Sequence, residues 1–166
     1  MDQHEMHLVL NHIPVILTVM ALAASLLAIV KKSRAAWVYA AASLTVAGLF
    51  TYPTFFTGHG THEILENYWW VKADSWADHE AAADWAVWIT CAAGLVGAYA
   101  WWKLTRAKDA MITTGVQVAV IVACLFAATT MGRTAWLGGK VIRDQESLQK
   151  APPGWVAPPK MEHDNH

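Results

Sequence analysis

Long apolar runs alternate with short polar ones along this chain. Four runs stand out: "HIPVILTVMALAASLLAIV" (12–30), "AAWVYAAASLTVAGLFTYPTFF" (35–56), "AAADWAVWITCAAGLVGAYAWW" (81–102) and "AMITTGVQVAVIVACLFAATTMG" (110–132). Each is close to the ~20 residues a helix needs to cross a hydrocarbon core of about 30 Å. The first three are too long for strands, and the runs hardly carry the polar stripe of a water-soluble bundle. The pattern predicts an all-α fold, an integral membrane bundle of four transmembrane helices over residues 1–143. An irregular, proline-rich tail follows over 144–166.

The polar segments orient the bundle. "KKSR" (31–34) and "KLTRAK" (103–108) are short and basic, which predicts that both face the cytoplasm. Both termini and the middle loop then lie on the periplasmic side. That loop is acidic, with Glu63, Glu66, Asp74, Asp78, Glu80 and Asp84 against Lys72. Trp37, Trp101 and Trp102 fall near the inner interface, and Trp69, Trp70, Trp76 and Trp136 near the outer one, as aromatic belts do. The first run is not expected to be a cleaved signal, because Asp2 and Glu5 precede it and the basic residues follow it. The expected location is a bacterial inner membrane, crossed several times.

Composition agrees. Of 166 residues 55% are hydrophobic and only 15% charged, and the mean hydropathy is +0.28. A net charge of −1 and the lack of a basic, aromatic-interleaved patch argue against nucleic acid as a partner. Cys91 and Cys124 fall in the middle of predicted spans, which suits small buried thiols better than a disulfide framework. No internal repeat is visible in the sequence.

The histidines carry the candidate chemistry. With antiparallel helices, His4, His7, His12, His59, His62 and His79 all come to the outer ends of the first three spans. Asn11 is expected to cap the first span, with Pro14 in its first turn, where a missing N–H is harmless. His7 and Asn11, four apart, share a face, whereas His7 and His12 are about 140° apart around a helix. Ser75 and Asp78 suggest a capping box that puts His79 about one turn inside the third span. Below His79, Ala82, Ala83 and Ala86 leave room for a flat group, or simply allow close helix packing. In "TGHGTHEILEN" (57–67), His59, His62, Glu63 and Glu66 would share one helical face. Gly58 and Gly60 weaken helix there, so the stretch is equally readable as a solvated amphipathic connector.

Four segments, "HLVLNHIPVIL" (7–17), "YPTFFTGHGTHEILE" (52–66), "HEAAADWA" (79–86) and "TAWLGGKVIRDQE" (134–146), resemble the DUF2231-like family of small uncharacterised bacterial membrane proteins. That family shows an H-x-x-x-N-H-x-P start and a His-Glu pair opening the third span, matched here by His7, Asn11, His12, Pro14, His79 and Glu80. Two of its motifs are altered. His59 and His62 stand where glutamates are common, though Glu63 stays acidic, and Asp144 follows Arg143 where histidine is usual. The family has no settled activity, so the resemblance implies the membrane fold and no function.

Three functional readings follow. The first is a b-type haem held by histidines of different spans, with His12 and His79 as the favoured axial pair and His7 as competitor. Arg133, Lys140 and Arg143 would meet the propionates. Such a protein would carry electrons between membrane quinone and a periplasmic redox protein, among other membrane subunits and lipid in a respiratory or photosynthetic complex. The second is a non-haem Zn, Cu, Fe or Mn site drawn from His12, His79, His59, His62, Glu63, Glu66 and Glu80. The third is a cofactor-free structural accessory subunit. No Ser-His-Asp or Cys-His arrangement argues for nucleophilic catalysis, and whether the protein is an enzyme stays open.

Overall fold

The structure, a computed structural model, describes residues 3–65, 73–107, 111–144, 154 and 156. Among them are five helices: α1 (Gln3–Leu10), α2 (His12–Lys31), α3 (Arg34–Leu65), α4 (Ala73–Arg106) and α5 (Thr114–Asp144). Four stretches, Glu5–Lys31, Arg34–Thr61, Asp74–Arg106 and Thr114–Val141, are long and apolar enough to span a membrane.

The first stretch joins α1 to α2. Asn11, between them, has helical dihedrals (φ −62°, ψ −25°), and its N–H reaches the His7 carbonyl at 2.9 Å. Its side chain makes no cap bond, contrary to the sequence expectation. The physical reason is continuity: the chain is already helical before Asn11, so the N–H groups a cap would serve have partners. Pro14 therefore lies inside a helix and leaves the Leu10 carbonyl without its usual donor. Thr54 Oγ1, from α3, stands 3.4 Å from that carbonyl.

The α2–α3 connection is tight. Lys32 adopts the left-handed conformation (φ 48°, ψ 40°), and Ser33 N–H returns to Ala28 O at 3.0 Å, closing α2 much as a Schellman turn does. Ser33 Oγ then accepts from Ala36 N–H at 3.3 Å and caps α3. Arg34 donates to the carbonyls of Leu104 and Ala107, which ties this corner to the last turn of α4.

Around the bundle α2 packs on α3, α3 on α4, α4 on α5, and α5 closes back on α2. The interior is built of small side chains, among them Ala21, Ala28, Ala41, Ala93, Ala100 and Ala127. At the α3–α4 crossing Gly48 meets Gly94 so closely that a Cβ on Gly48 would lie 2.8 Å from the Gly94 Cα. The large apolar side chains point outward instead, with Leu49, Trp85, Trp88, Leu95 and Phe126 all strongly exposed. Apolar surface of that extent is stable only against lipid or other membrane helices. With small residues facing the helix contacts, this is the arrangement of a multi-pass membrane protein.

Three local expectations are corrected. Trp37 is buried in the core rather than set in an interfacial belt; Lys103 and Arg106 instead lie over the Trp102 ring at 5.7 and 5.8 Å. Helix α4 is already formed at Ala73, so Ser75 is a buried residue within it and not an N-cap. Helix α3 runs through Gly58 and Gly60 to Leu65, because packing on α1 outweighs the ~1 kcal/mol that glycine costs a helix. The stretch that reads as a connector is thus the last two turns of a spanning helix. Cys91 and Cys124 are free thiols. Of the proline-rich tail only Gly154 and Val156 are among the described residues.

The two helical hairpins share a pattern of buried positions. The shift in number that carries His7 onto His79 also carries Pro14, Thr18, Ala21, Ser25 and Ala28 onto Ala86, Thr90, Ala93, Gly97 and Ala100, and all ten are buried. A second shift relates α3 to α5. It carries Ala40, Leu44, Ala47, Thr51, Thr57 and Thr61 onto Val120, Cys124, Ala127, Met131, Leu137 and Val141, again buried on both sides. It also carries the first residue of α3, Arg34, onto the first residue of α5, Thr114. Even two shallow grooves on the outside of the bundle are equivalent. Ala23, Ala24, Leu27, Ala36 and Tyr39 line one, and their counterparts Leu95, Val96, Tyr99, Val116 and Ala119 line the other. The same spacing of buried positions thus recurs in the two pairs of helices.

Candidate functional site

Two histidines occupy matching positions in the two halves. His7, on α1, aims Nδ1 at the Thr54 carbonyl of α3 at 3.0 Å. His79, on α4, aims Nδ1 at the Thr134 carbonyl of α5, also at 3.0 Å. Each ring lies against a glycine one turn beyond that threonine. A Cβ on Gly58 would come within 3.0 Å of His7 Cε1, and a Cβ on Gly138 within 3.0 Å of His79 Cε1. The glycines therefore make the space that lets each imidazole reach a helical carbonyl.

The threonines complete the socket. Thr54 Oγ1 donates to Phe50 O at 2.7 Å, and Thr134 Oγ1 to Thr130 O at 3.0 Å. Both hydroxyls bond back along their own helices, which leaves a carbonyl lone pair for the histidine. On the first side only, Thr57 Oγ1 adds a contact 3.3 Å from His7 Nδ1 and itself donates to Thr54 O at 2.9 Å. A carbonyl only accepts, so Nδ1 carries a proton in both rings. Backbone carbonyls hold metal-ligating histidines through a ring N–H in the same way.

The other sequence candidates fall elsewhere. His12 is exposed, and its Nδ1 turns back to Leu8 O of its own helix at 3.1 Å. Its counterpart in the second half, Asp84, is exposed too. Asn11 shares the inward face with His7, and its Oδ1 is buried with no hydrogen-bond partner among the described residues. Beneath His79, Ala82 and Ala86 are buried in helix packing. His59, against the edge of Phe55, stands 3.8 Å from Glu80 across the α3–α4 contact. Arg133 is exposed, while Lys140 is partly buried about two turns nearer the end of α5. The side chains of His62, Glu63 and Arg143, and all of Glu66, lie outside the described residues. Among those described, no three His, Cys, Asp or Glu side chains gather closely enough to hold a metal ion by themselves.

Sequence reasoning missed Thr54, Gly58, Thr134 and Gly138. The signal was present: "TFFTG" (54–58) and "TAWLG" (134–138) are both T-x-x-x-G, each near the end of the helix that follows a histidine-bearing one. Comparison of the chain with protein-family models, curated proteins and solved structures finds no match.

Proposed function

We propose that this protein is a membrane electron-transfer subunit that binds a b-type haem at the end of the bundle where the histidines lie. One observation carries the reading: two histidines on different helices each donate Nδ1–H to a backbone carbonyl, as metal-ligating histidines do. Iron in a porphyrin asks the protein for only one or two ligands, so a pair of imidazoles meets its needs. A non-haem centre needs three or four, and here that reading depends on side chains beyond those described. A histidine serving only to join helices is satisfied by any carbonyl. Paired sockets with a glycine at the same place in each go beyond that requirement.

In this reading the haem passes single electrons between a quinol in the lipid and a redox protein at the membrane surface. Oxidising one quinol releases two protons and two electrons, taken up one at a time. In this reading the basic turns around Lys32 and Arg106 face the cytoplasm, and the histidine end, with both termini, faces outside. In a bacterium this is the inner membrane and its periplasmic face, and other subunits of a respiratory complex would cover part of the apolar exterior.

The test is the visible spectrum of protein purified from haem-replete cells. A Soret band, with a sharp α-band on dithionite reduction and a protohaem pyridine adduct, is expected. Absence of the Soret band together with stoichiometric Zn, Cu, Fe or Mn would replace haem by the non-haem site. Absence of both would leave a structural subunit.

A further inference from the structure

We infer that the groove between α4 and α5 binds an anionic phospholipid, with an acyl chain along the groove and the phosphate at Lys103 and Arg106. The inference stands apart from the haem reading and concerns the opposite end of the bundle.

The groove supplies the place for the chain. Leu95, Val96 and Tyr99 of α4 form one wall, and Gly115, Val116 and Ala119 of α5 form the other. Its volume is about 350 Å³, within the range of small ligand sites. The lining is apolar apart from the Tyr99 hydroxyl. Gly115 keeps it open, since a Cβ there would meet nothing within 4 Å, whereas Gly48 and Gly94 serve to let two helices touch.

Charge decides the occupant. Leu95, Tyr99 and Lys103 follow one another at four-residue spacing, so they share one stripe of α4. The stripe runs from the groove wall to a cation, and Lys103 Nζ lies 5.6 Å from the centre of the Tyr99 ring. Lys103 also stands over Trp102 at 5.7 Å, and Arg106 over the same ring at 5.8 Å. Like charges three residues apart on a helix repel each other. Among the described residues at this end (28–40, 98–107 and 111–118) there is no Asp or Glu to relieve them. A phosphate does so, through charge-assisted bonds to both side chains. The first turn of α5 brings the positive pole of its helix dipole to the same end. Basic sites between membrane helices are where anionic headgroups bind. A neighbouring helix would fill the groove with apolar side chains and leave both cations unanswered. The other groove is different: Tyr39 O–H donates to Met20 Sγ at 3.6 Å across it, between two of its own lining residues.

The full-length protein in detergent is titrated with phosphatidylglycerol or with phosphatidylcholine of the same acyl chains, and bound lipid per chain is read by native mass spectrometry. One phosphatidylglycerol per chain is expected, preferred over phosphatidylcholine roughly thirtyfold, about fivefold for each cation. Lys103→Gln with Arg106→Gln should bind the two lipids alike. Gly115→Leu, whose side chain enters open space, should lose the bound phosphatidylglycerol with no fall in thermal stability. Lys31→Gln with Lys32→Gln removes the same charge from the same end and should keep the preference. If that control loses it as fully as the Lys103 and Arg106 variant, the attraction is diffuse and the site is overturned. Equal affinity of the wild type for the two lipids also overturns it, as does phosphatidylglycerol binding unchanged in Gly115→Leu. Displacement of the lipid by an equal concentration of inorganic phosphate would assign the cations to the free anion instead. Should the double variant fail to accumulate, Arg106→Gln alone decides: about a fivefold loss of preference upholds the site, and none overturns it.

Discussion

Two glycines decide how close the histidines come to the helices facing them. At Gly58 and Gly138 an added methyl would meet an imidazole carbon at 3.0 Å, so the ring must give way by a few tenths of an ångström. Gly58→Ala and Gly138→Ala should therefore lengthen the Nδ1 contacts to Thr54 and Thr134. Each should lower stability by about 1 kcal/mol, the order of one interhelical hydrogen bond in a membrane protein, as read from thermal melting in detergent. Because the two sockets match, the two losses should agree closely; a large effect at one site with none at the other would break the correspondence. Gly115 and Gly132 are the controls, since a Cβ there meets nothing within 4 Å. Alanine at either should be neutral, or stabilise its helix by up to about 1 kcal/mol.

Helix-on-helix packing depends on backbone approach. A Cβ on Gly48 or on Gly94 would lie 2.8–2.9 Å from the other's Cα, and a Cβ on Gly97 would lie 2.8 Å from the Ala41 carbonyl oxygen. No flexible side-chain end can swing aside at these places. Valine at Gly48 or Gly94 should thus separate α3 from α4 at a cost of about 1–3 kcal/mol or more, seen as a lower SDS midpoint for unfolding. The helices themselves were legible in the sequence, since four apolar runs admit little else in a bilayer. Their ends were not. Hydropathy stops where the lipid stops, near Phe56, while α3 continues to Leu65 because α1 packs against it there. Asn11 and Ser75 look like caps, and cap chemistry is a local signal that a continuing helix overrides. The histidine layer could be read from topology. Which histidines turn inward could not, since that depends on glycines far away in number, Gly58 from His7 and Gly138 from His79.

For the whole molecule, the proposed orientation rests on the basic ends of α2 and α4 and the start of α3. Lys31, Lys32 and Arg34 lie at one corner, and Lys103 and Arg106 lie near it at the same end of the bundle. With Cys91 and Cys124 replaced, a single cysteine at Ala107 should react with a membrane-impermeant maleimide only after permeabilisation. One at Gly154 should react in intact spheroplasts. The reverse pattern would invert the molecule and put the histidine end in the cytoplasm.

The ion pair of His59 with Glu80 has a consequence of its own. At the positions equivalent in spacing stand Gly139 and Leu8, which can form no such pair. A carboxylate and an imidazole side by side at the water-facing edge of α3 and α4 make that edge the more hydrated one, so a change of pH reaches this pair of helices first.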